Sequence, residues 1–229
     1  MKYKKEANIM MYCLIPLCLC LAAFFLLQES RKKYVPAVIL KGLASACFVS
    51  LGFLLSDSSP LAGLITAGLL LGCIADVLLN LRLVFPEKGQ LIFLAGILVF
   101  LSGHILYLIA ILRGSAHWGI CVVAGVILTA LLMTWIFRRI TAKPAFKIFG
   151  VIYIGAVVLL NCVAIGNLLA APSAFTAVFA AGSLLFLLSD IVLILNTFGG
   201  ETKQSLRVTN ITLYYAGQLL IALSLHFLR

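Results

Sequence analysis

Charged side chains are scarce in this chain. Asp, Glu, Lys and Arg together make up 10% of its 229 residues, whereas 64% are hydrophobic. A soluble domain is about one quarter charged, because its surface must face water. Lipid must therefore be the solvent for most of this surface, which excludes a soluble globular domain and leaves only helices or a closed barrel.

The sequence also lacks the alternating segments of about ten residues that a transmembrane barrel requires. It has instead unbroken apolar runs of roughly 20 residues, the length that crosses a hydrocarbon core of about 30 Å. The predicted fold class is all-α, a polytopic transmembrane bundle in a single transmembrane domain over residues 1–229. The eight predicted helices lie near residues 8–28, 34–55, 60–81, 90–112, 117–138, 146–170, 174–197 and 206–228.

The first apolar run follows a basic start, as a signal peptide would. The run is too long for a signal peptide, and no small-residue cleavage pattern precedes Glu29. We therefore expect a retained membrane helix.

Ligand sets for metals are missing as well. The seven cysteines lie inside apolar runs with no zinc-like spacing, and the three histidines fall on separate runs. We expect neither a metal nor another cofactor. The formal net charge of +10 comes from basic residues scattered through short loops, which favours anionic membrane lipid over nucleic acid as a partner.

The loop charges predict an orientation in the membrane. Eleven Lys and Arg residues lie in the loops after helices 1, 3, 5 and 7, and five lie on the other side. The positive-inside rule puts the eleven in the cytoplasm and both termini outside. The basic start, Lys2, Lys4 and Lys5, favours the opposite orientation. We expect an integral protein of a bacterial cytoplasmic membrane.

A short internal similarity links the third and seventh predicted helices. Residues 75–79 read ADVLL and residues 189–193 read SDIVL. Helices four apart run in the same direction, so the similarity predicts a weak parallel 4+4 repeat.

Few ionisable residues lie within the predicted spans, and such residues are costly there and usually functional. They are Lys41, Asp76, His104 and Asp190. At about 1.5 Å per residue, Lys41 and the two aspartates lie about 7–10 Å below the basic ends of their helices. Tyr153, Tyr214 and Tyr215 share this level, and Asn161, Gln218 and His104 lie deeper.

Residue spacing predicts that Asp76 faces the interior of the bundle. Gly68, Gly72 and Asp76 follow at four-residue intervals, and small residues at this spacing mark close helix contacts. His104 with Tyr107 and Tyr214 with Gln218 form similar one-face pairs. We therefore expect a polar pocket enclosed by protein. Purely structural roles are the alternative, with Lys41 extending its amine to the interface and His104 serving as a packing residue.

This set of residues resembles the YhhN family of eight-helix membrane proteins, which includes the animal lysoplasmalogenases. The matching positions span helices 2 to 8 in order: Lys41-Gly42, Gly72, Ala75-Asp76, His104, Tyr107, Ser189-Asp190 and Tyr214-Tyr215-Ala216-Gly217-Gln218. Two positions depart from the family pattern, because Ala75 stands where a glycine is usual and Gly42 where a proline is usual.

The resemblance implies hydrolysis of the vinyl-ether bond of a lysoplasmalogen. The products are a fatty aldehyde and a glycerophospho-ethanolamine or -choline. Such a reaction needs one carboxyl group that carries a proton and another that stays ionised, as in glycosidases. The candidate catalytic residues are Asp76 and Asp190. The candidate substrate-binding residues are Lys41, His104, Tyr107, Tyr153, Asn161, Ser189, Tyr214, Tyr215 and Gln218.

Two other functions fit the same residues. A small transporter coupled to protons or cations would use the buried aspartates and Lys41 as its ion site, and the repeat suits this reading. A lipid-binding or assembly protein without turnover would need them for folding alone.

Overall fold

The structure is a computed structural model that describes the backbone of residues 2–228 and the side chains of residues 13–228. Within this part of the chain all regular secondary structure is helical. Each of the eight long helices contains a segment long and apolar enough to span a membrane. The helices are α1 Lys2–Ser30, α2 Tyr34–Leu55, α3 Pro60–Leu81, α4 Gly89–Leu112, α5 Trp118–Phe137, α6 Pro144–Ala170, α7 Ala174–Phe198 and α8 Gln204–Ser224. The predicted fold class is confirmed.

Most helix ends lie within two residues of the prediction, and local chemistry accounts for several of them. Pro60 and Pro144 occupy the first turns of α3 and α6, where a preset φ favours helix entry. Ser173 begins α7 with a reciprocal capping box to Thr176. The largest error concerns α1, which begins at Lys2 rather than near residue 8. Its first residues are good helix formers that continue the helix beyond the apolar run.

The predicted orientation uses the charges of Lys2, Lys4, Lys5 and Arg229. The side chains of these four residues lie outside the part of the chain whose side chains the structure describes.

The helices differ in how deeply they are enclosed. α8 is the most buried span, because 61% of its membrane-spanning segment is buried inside the protein. The corresponding segments of α1 and α5 are 17% and 22% buried. α8 packs against α1, α2, α3 and α7, and α5 packs mainly on α6. A span rich in polar groups at the centre is expected, because lipid cannot satisfy those groups.

Two pairs of glycines let helices cross at backbone contact. A Cβ atom on either Gly68 or Gly103 would lie 3.0 Å from the carbonyl oxygen of the other, where α3 crosses α4. Gly182 and Gly217 stand in the same relation where α7 crosses α8, with corresponding distances of 2.9 and 2.8 Å. Close approach at small residues is a common way for membrane helices to associate.

The two crossings share one sequence register. Gly182 follows Gly68 by 114 positions, and Gly217 follows Gly103 by the same interval. Asp190 follows Asp76 by this interval too. The first residue of α7 also follows the first residue of α3 by 114 positions. The register supports the parallel repeat and extends it from five residues to two pairs of helices. It also explains why two aspartates lie at one level of the bundle.

We predict that Gly217→Ala destabilises the protein. The new methyl group would contact the backbone of Gly182 and Phe186, so the apparent melting temperature in detergent should fall by about 5 °C, as for an overpacked core. The matched control is Gly63→Ala, also in a spanning helix, where a Cβ meets nothing within 4 Å. Equal melting temperatures for the two variants would contradict a tight α7–α8 crossing.

Candidate active site

A cavity of about 330 Å³ opens at the end of the bundle that carries the loops after α1, α3, α5 and α7. Both aspartates line it, although they lie on α3 and α7. Of the sequence-predicted site residues, six line this cavity: Lys41, Asp76, Tyr153, Ser189, Asp190 and Tyr214. The structure therefore brings the two candidate catalytic groups to one space.

Asp76 accepts from three donors on two neighbouring helices. The Lys41 ammonium lies 3.0 Å from its Oδ1 atom. The hydroxyl groups of Ser45 and Tyr214 each donate to Oδ2 at 2.5 Å. Asp76 is only 1% exposed and Lys41 5%. Donors on both oxygens suit an ionised carboxylate, which only accepts hydrogen bonds. Lys41 thus has an internal partner, and the alternative of an amine extended to the interface is wrong.

A chain of hydrogen bonds extends from Asp76 deeper into the bundle. Tyr107 donates to Gln218 Oε1 at 3.2 Å, and Gln218 Nε2 donates to the Tyr214 hydroxyl at 3.4 Å. Each group donates toward Asp76, so the dipoles reinforce one another. Gly72 makes room for this chain, since a Cβ there would lie 3.0 Å from Gln218 Nε2.

Ser45 is a site residue that the sequence reasoning missed. Besides binding Asp76, its hydroxyl lies 3.2 Å from the hydroxyl of Tyr215, which also donates to the Lys41 carbonyl at 3.3 Å. Ser45 follows Lys41 by one helical turn and therefore shares its face. That spacing was the available signal, but a serine is common enough in membrane helices to carry little weight alone.

Asp190 has a different environment from Asp76. Its Oδ2 atom accepts a hydrogen bond from the Tyr153 hydroxyl at 2.8 Å. It is 5% exposed, and no cation among the described side chains lies within salt-bridge distance of it. In each half of the repeat the preceding helix supplies a partner for the aspartate. α2 supplies the Lys41 ammonium group to Asp76, and α6 supplies the Tyr153 phenol to Asp190. Of these two aspartates, Asp76 alone belongs to an ion pair.

The other predicted substrate-binding residues lie outside the cavity or form hydrogen bonds between helices. His104 donates from Nδ1 to the Phe100 carbonyl at 2.8 Å and packs against Tyr153, one layer from the cavity. Asn161 bonds the Ser183 carbonyl at 3.2 Å and joins α6 to α7. Ser189 lines the cavity and exchanges hydrogen bonds with Asn210 on α8.

The cavity mouth contains charged residues that sequence reasoning treated only as loop charges or left out. Arg207 makes two hydrogen bonds to Glu29, each 2.8 Å long, and a third to Asn210. Arg82 lies over the ring of Phe93 at 4.3 Å from its centroid. Both arginines line the cavity. Charged helix ends are common in membrane proteins, so no motif marked these two.

We predict strong energetic coupling between Lys41 and Asp76. Lys41→Met leaves a buried carboxylate without its cation and should cost about 3–5 kcal/mol. The double variant Lys41→Met/Asp76→Asn removes both charges and should be more stable than Lys41→Met alone. Unfolding in detergent of the two single variants, the double variant and wild type measures the coupling. Strictly additive effects would contradict the ion pair.

Comparison with known proteins identifies a family for this chain. A family model described as the YhhN family matches residues 8–225, which covers all eight helices in whole or in large part. No curated protein matches the chain, and no solved structure does. The expected resemblance is confirmed, and the chain belongs to the YhhN family.

Proposed function

We propose that this integral membrane protein hydrolyses the vinyl-ether bond of lysoplasmalogens. The products are a fatty aldehyde and a glycerophospho-ethanolamine or -choline. The observation that carries this proposal is the pair of buried aspartates with unlike partners on one cavity. Family membership agrees with it, because the resemblance implies the same reaction.

The reaction begins with a proton transfer to carbon. The electron pair of the C=C bond takes a proton at the β-carbon, and an oxocarbenium ion remains at the α-carbon and ether oxygen. Water adds to the α-carbon and loses a proton, which gives a hemiacetal. The hemiacetal expels the glycerol oxygen as an alcohol and becomes the aldehyde. General acid and general base groups therefore act in turn, as in glycoside hydrolysis.

Asp190 is the proposed proton donor. It faces the cavity without a neighbouring cation, and a carboxyl group that has no cation partner in an apolar site can hold a proton for transfer. The negative charge left on Asp190 after the transfer then faces the oxocarbenium ion. The same carboxylate accepts the proton from the attacking water. Tyr153 fixes the orientation of Asp190 through its 2.8 Å hydrogen bond.

Asp76 is the proposed fixed carboxylate of the site. Its oxygens are occupied by Lys41, Ser45 and Tyr214, so it is poorly placed to exchange protons with substrate. It holds the Lys41 ammonium and the Tyr214 hydroxyl at the cavity wall. The Lys41 ammonium then has N–H donors left for the glycerol hydroxyl or for the water that attacks, and the Tyr214 oxygen can accept a hydrogen bond from either. Preorganised donors of this kind cost no reorganisation during the reaction.

The cavity is proposed to open toward the cytoplasm of a bacterial cell. The basic loops surround its mouth, and the positive-inside rule puts them in the cytoplasm, with both termini outside. A lysophospholipid from the inner leaflet would enter with its head group near the mouth. The aldehyde would return to the bilayer and the glycerophosphodiester to water.

A transporter is the second candidate, and the register shared by α3–α4 and α7–α8 favours it, since many transporters contain such repeats. The position of the cavity favours the hydrolase. Its lining lies toward one end of the bundle, and beyond it the two glycine crossings bring α3 against α4 and α7 against α8. A transporter would move lipid between the leaflets of a vesicle without consuming it.

The decisive assay is aldehyde release from lysoplasmenyl-ethanolamine by purified protein in detergent. We predict release by wild type and a loss of at least a thousandfold in Asp190→Asn, because the acid and the base are removed together. Glu87→Gln changes an exposed acid near the same end of the bundle and should keep full activity. Activity retained in Asp190→Asn, or silence from folded wild type, would contradict the proposal.

A further inference from the structure

Three cations line the cavity, and two of them have anionic partners. Lys41 forms an ion pair with Asp76, and Arg207 forms a bidentate salt bridge with Glu29. Arg82 differs from both. Its guanidinium makes no hydrogen bond and no ion pair with the side chains that the structure describes, and its contact is the face of Phe93. Arg82 is half-buried and has no direct ion pair. Glu29 and Arg207 act on it only at longer range and with opposite signs, so its positive charge remains available at the mouth.

Arg82 lies where a bound molecule can reach it. It caps the end of α3, and it lines both the cavity and an adjoining open cavity of about 280 Å³. The guanidinium carbon lies over the Phe93 ring, 4.3 Å from its centroid. The N–H donors of an arginine form a planar fork that fits a phosphate, and none of those of Arg82 is used by a described side chain.

We propose that Arg82 binds the phosphate diester of a lysophospholipid whose reactive chain lies beside Asp190. This inference rests on the proposed function and names the group that fixes the substrate in the cavity. A planar guanidinium recognises phosphate through paired N–H donors, whereas a neutral glycerol ether offers it no anion. Arg82 is therefore a specificity residue for phosphorylated substrates rather than a catalytic residue.

The length of the lipid fits this placement. Arg82 follows Asp76 by six residues of the chain, which is about 9 Å of helical rise. Seven bonds separate the phosphorus atom from the β-carbon of an sn-1 vinyl ether, and an extended chain covers about 8 Å over that number of bonds. A phosphate at Arg82 thus places the double bond near the level of the two aspartates.

Kinetics with two substrates test the assignment. Arg82→Gln should raise the KM for lysoplasmenyl-ethanolamine at least tenfold with little change in kcat, because the lost contact is far from the reacting atoms. The same variant should hydrolyse 1-alkenylglycerol, which has no phosphate, as wild type does. Arg113→Gln, an exposed arginine at the opposite end of the bundle, should match wild type on both substrates. Equal losses on both substrates, or no loss on either, would overturn the proposal.

Binding without turnover separates this inference from the proposed function. A saturated 1-alkyl-lysophosphocholine should raise the melting temperature of wild type more than 1-alkylglycerol does, and Arg82→Gln should abolish the difference. Inorganic phosphate at the same concentration should give no shift, and a shift that matched the lipid's would overturn the assignment to a lipid phosphate. An Arg82-dependent shift in melting temperature without aldehyde release would support phosphate binding by Arg82 and contradict the proposed hydrolysis.

Discussion

A charged pair held among apolar helices is the constraint on which the rest of the structure depends. An isolated carboxylate or ammonium in this environment would cost many kcal/mol, so Lys41 and Asp76 must meet and must also satisfy their remaining hydrogen-bonding capacity. Ser45 and Tyr214 meet that need directly, and Gln218 and Tyr107 support Tyr214 in turn. This requirement explains why the span richest in polar groups, α8, occupies the centre of the bundle.

The internal repeat explains how the second carboxyl group comes to the same cavity. One register relates the glycine crossings and the aspartates of the two halves, so Asp190 lies at the level of Asp76. The halves differ in what the preceding helix provides, which is Lys41 on α2 and Tyr153 on α6. A symmetric framework thus holds two carboxyl groups in unlike surroundings, which is what acid and base chemistry at one site requires.

The sequence predicts the spans, the inward direction of Asp76 and the common depth of the polar groups, because apolar length and helical periodicity determine them. It does not predict which polar residues reach the cavity. His104 and Asn161 lie deeper than the two aspartates, and they bond the carbonyl groups of Phe100 and Ser183 outside the cavity. The bond between Glu29 and Arg207 joins residues 178 positions apart, and no local pattern signals it. Such contacts depend on how helices rotate and pack, which one sequence leaves open.

Hydrolysis of lysoplasmenyl-ethanolamine in deuterium oxide is the most direct test of proton donation by Asp190. Protonation of the β-carbon places one solvent hydrogen on carbon 2 of the aldehyde, and immediate reduction with borohydride prevents later exchange. Wild type should release aldehyde that carries one deuterium, measured by mass spectrometry, and Asp190→Asn should release none above the uncatalysed background. Enzymatic aldehyde without deuterium, or deuterated aldehyde from Asp190→Asn at the wild-type rate, would contradict the mechanism.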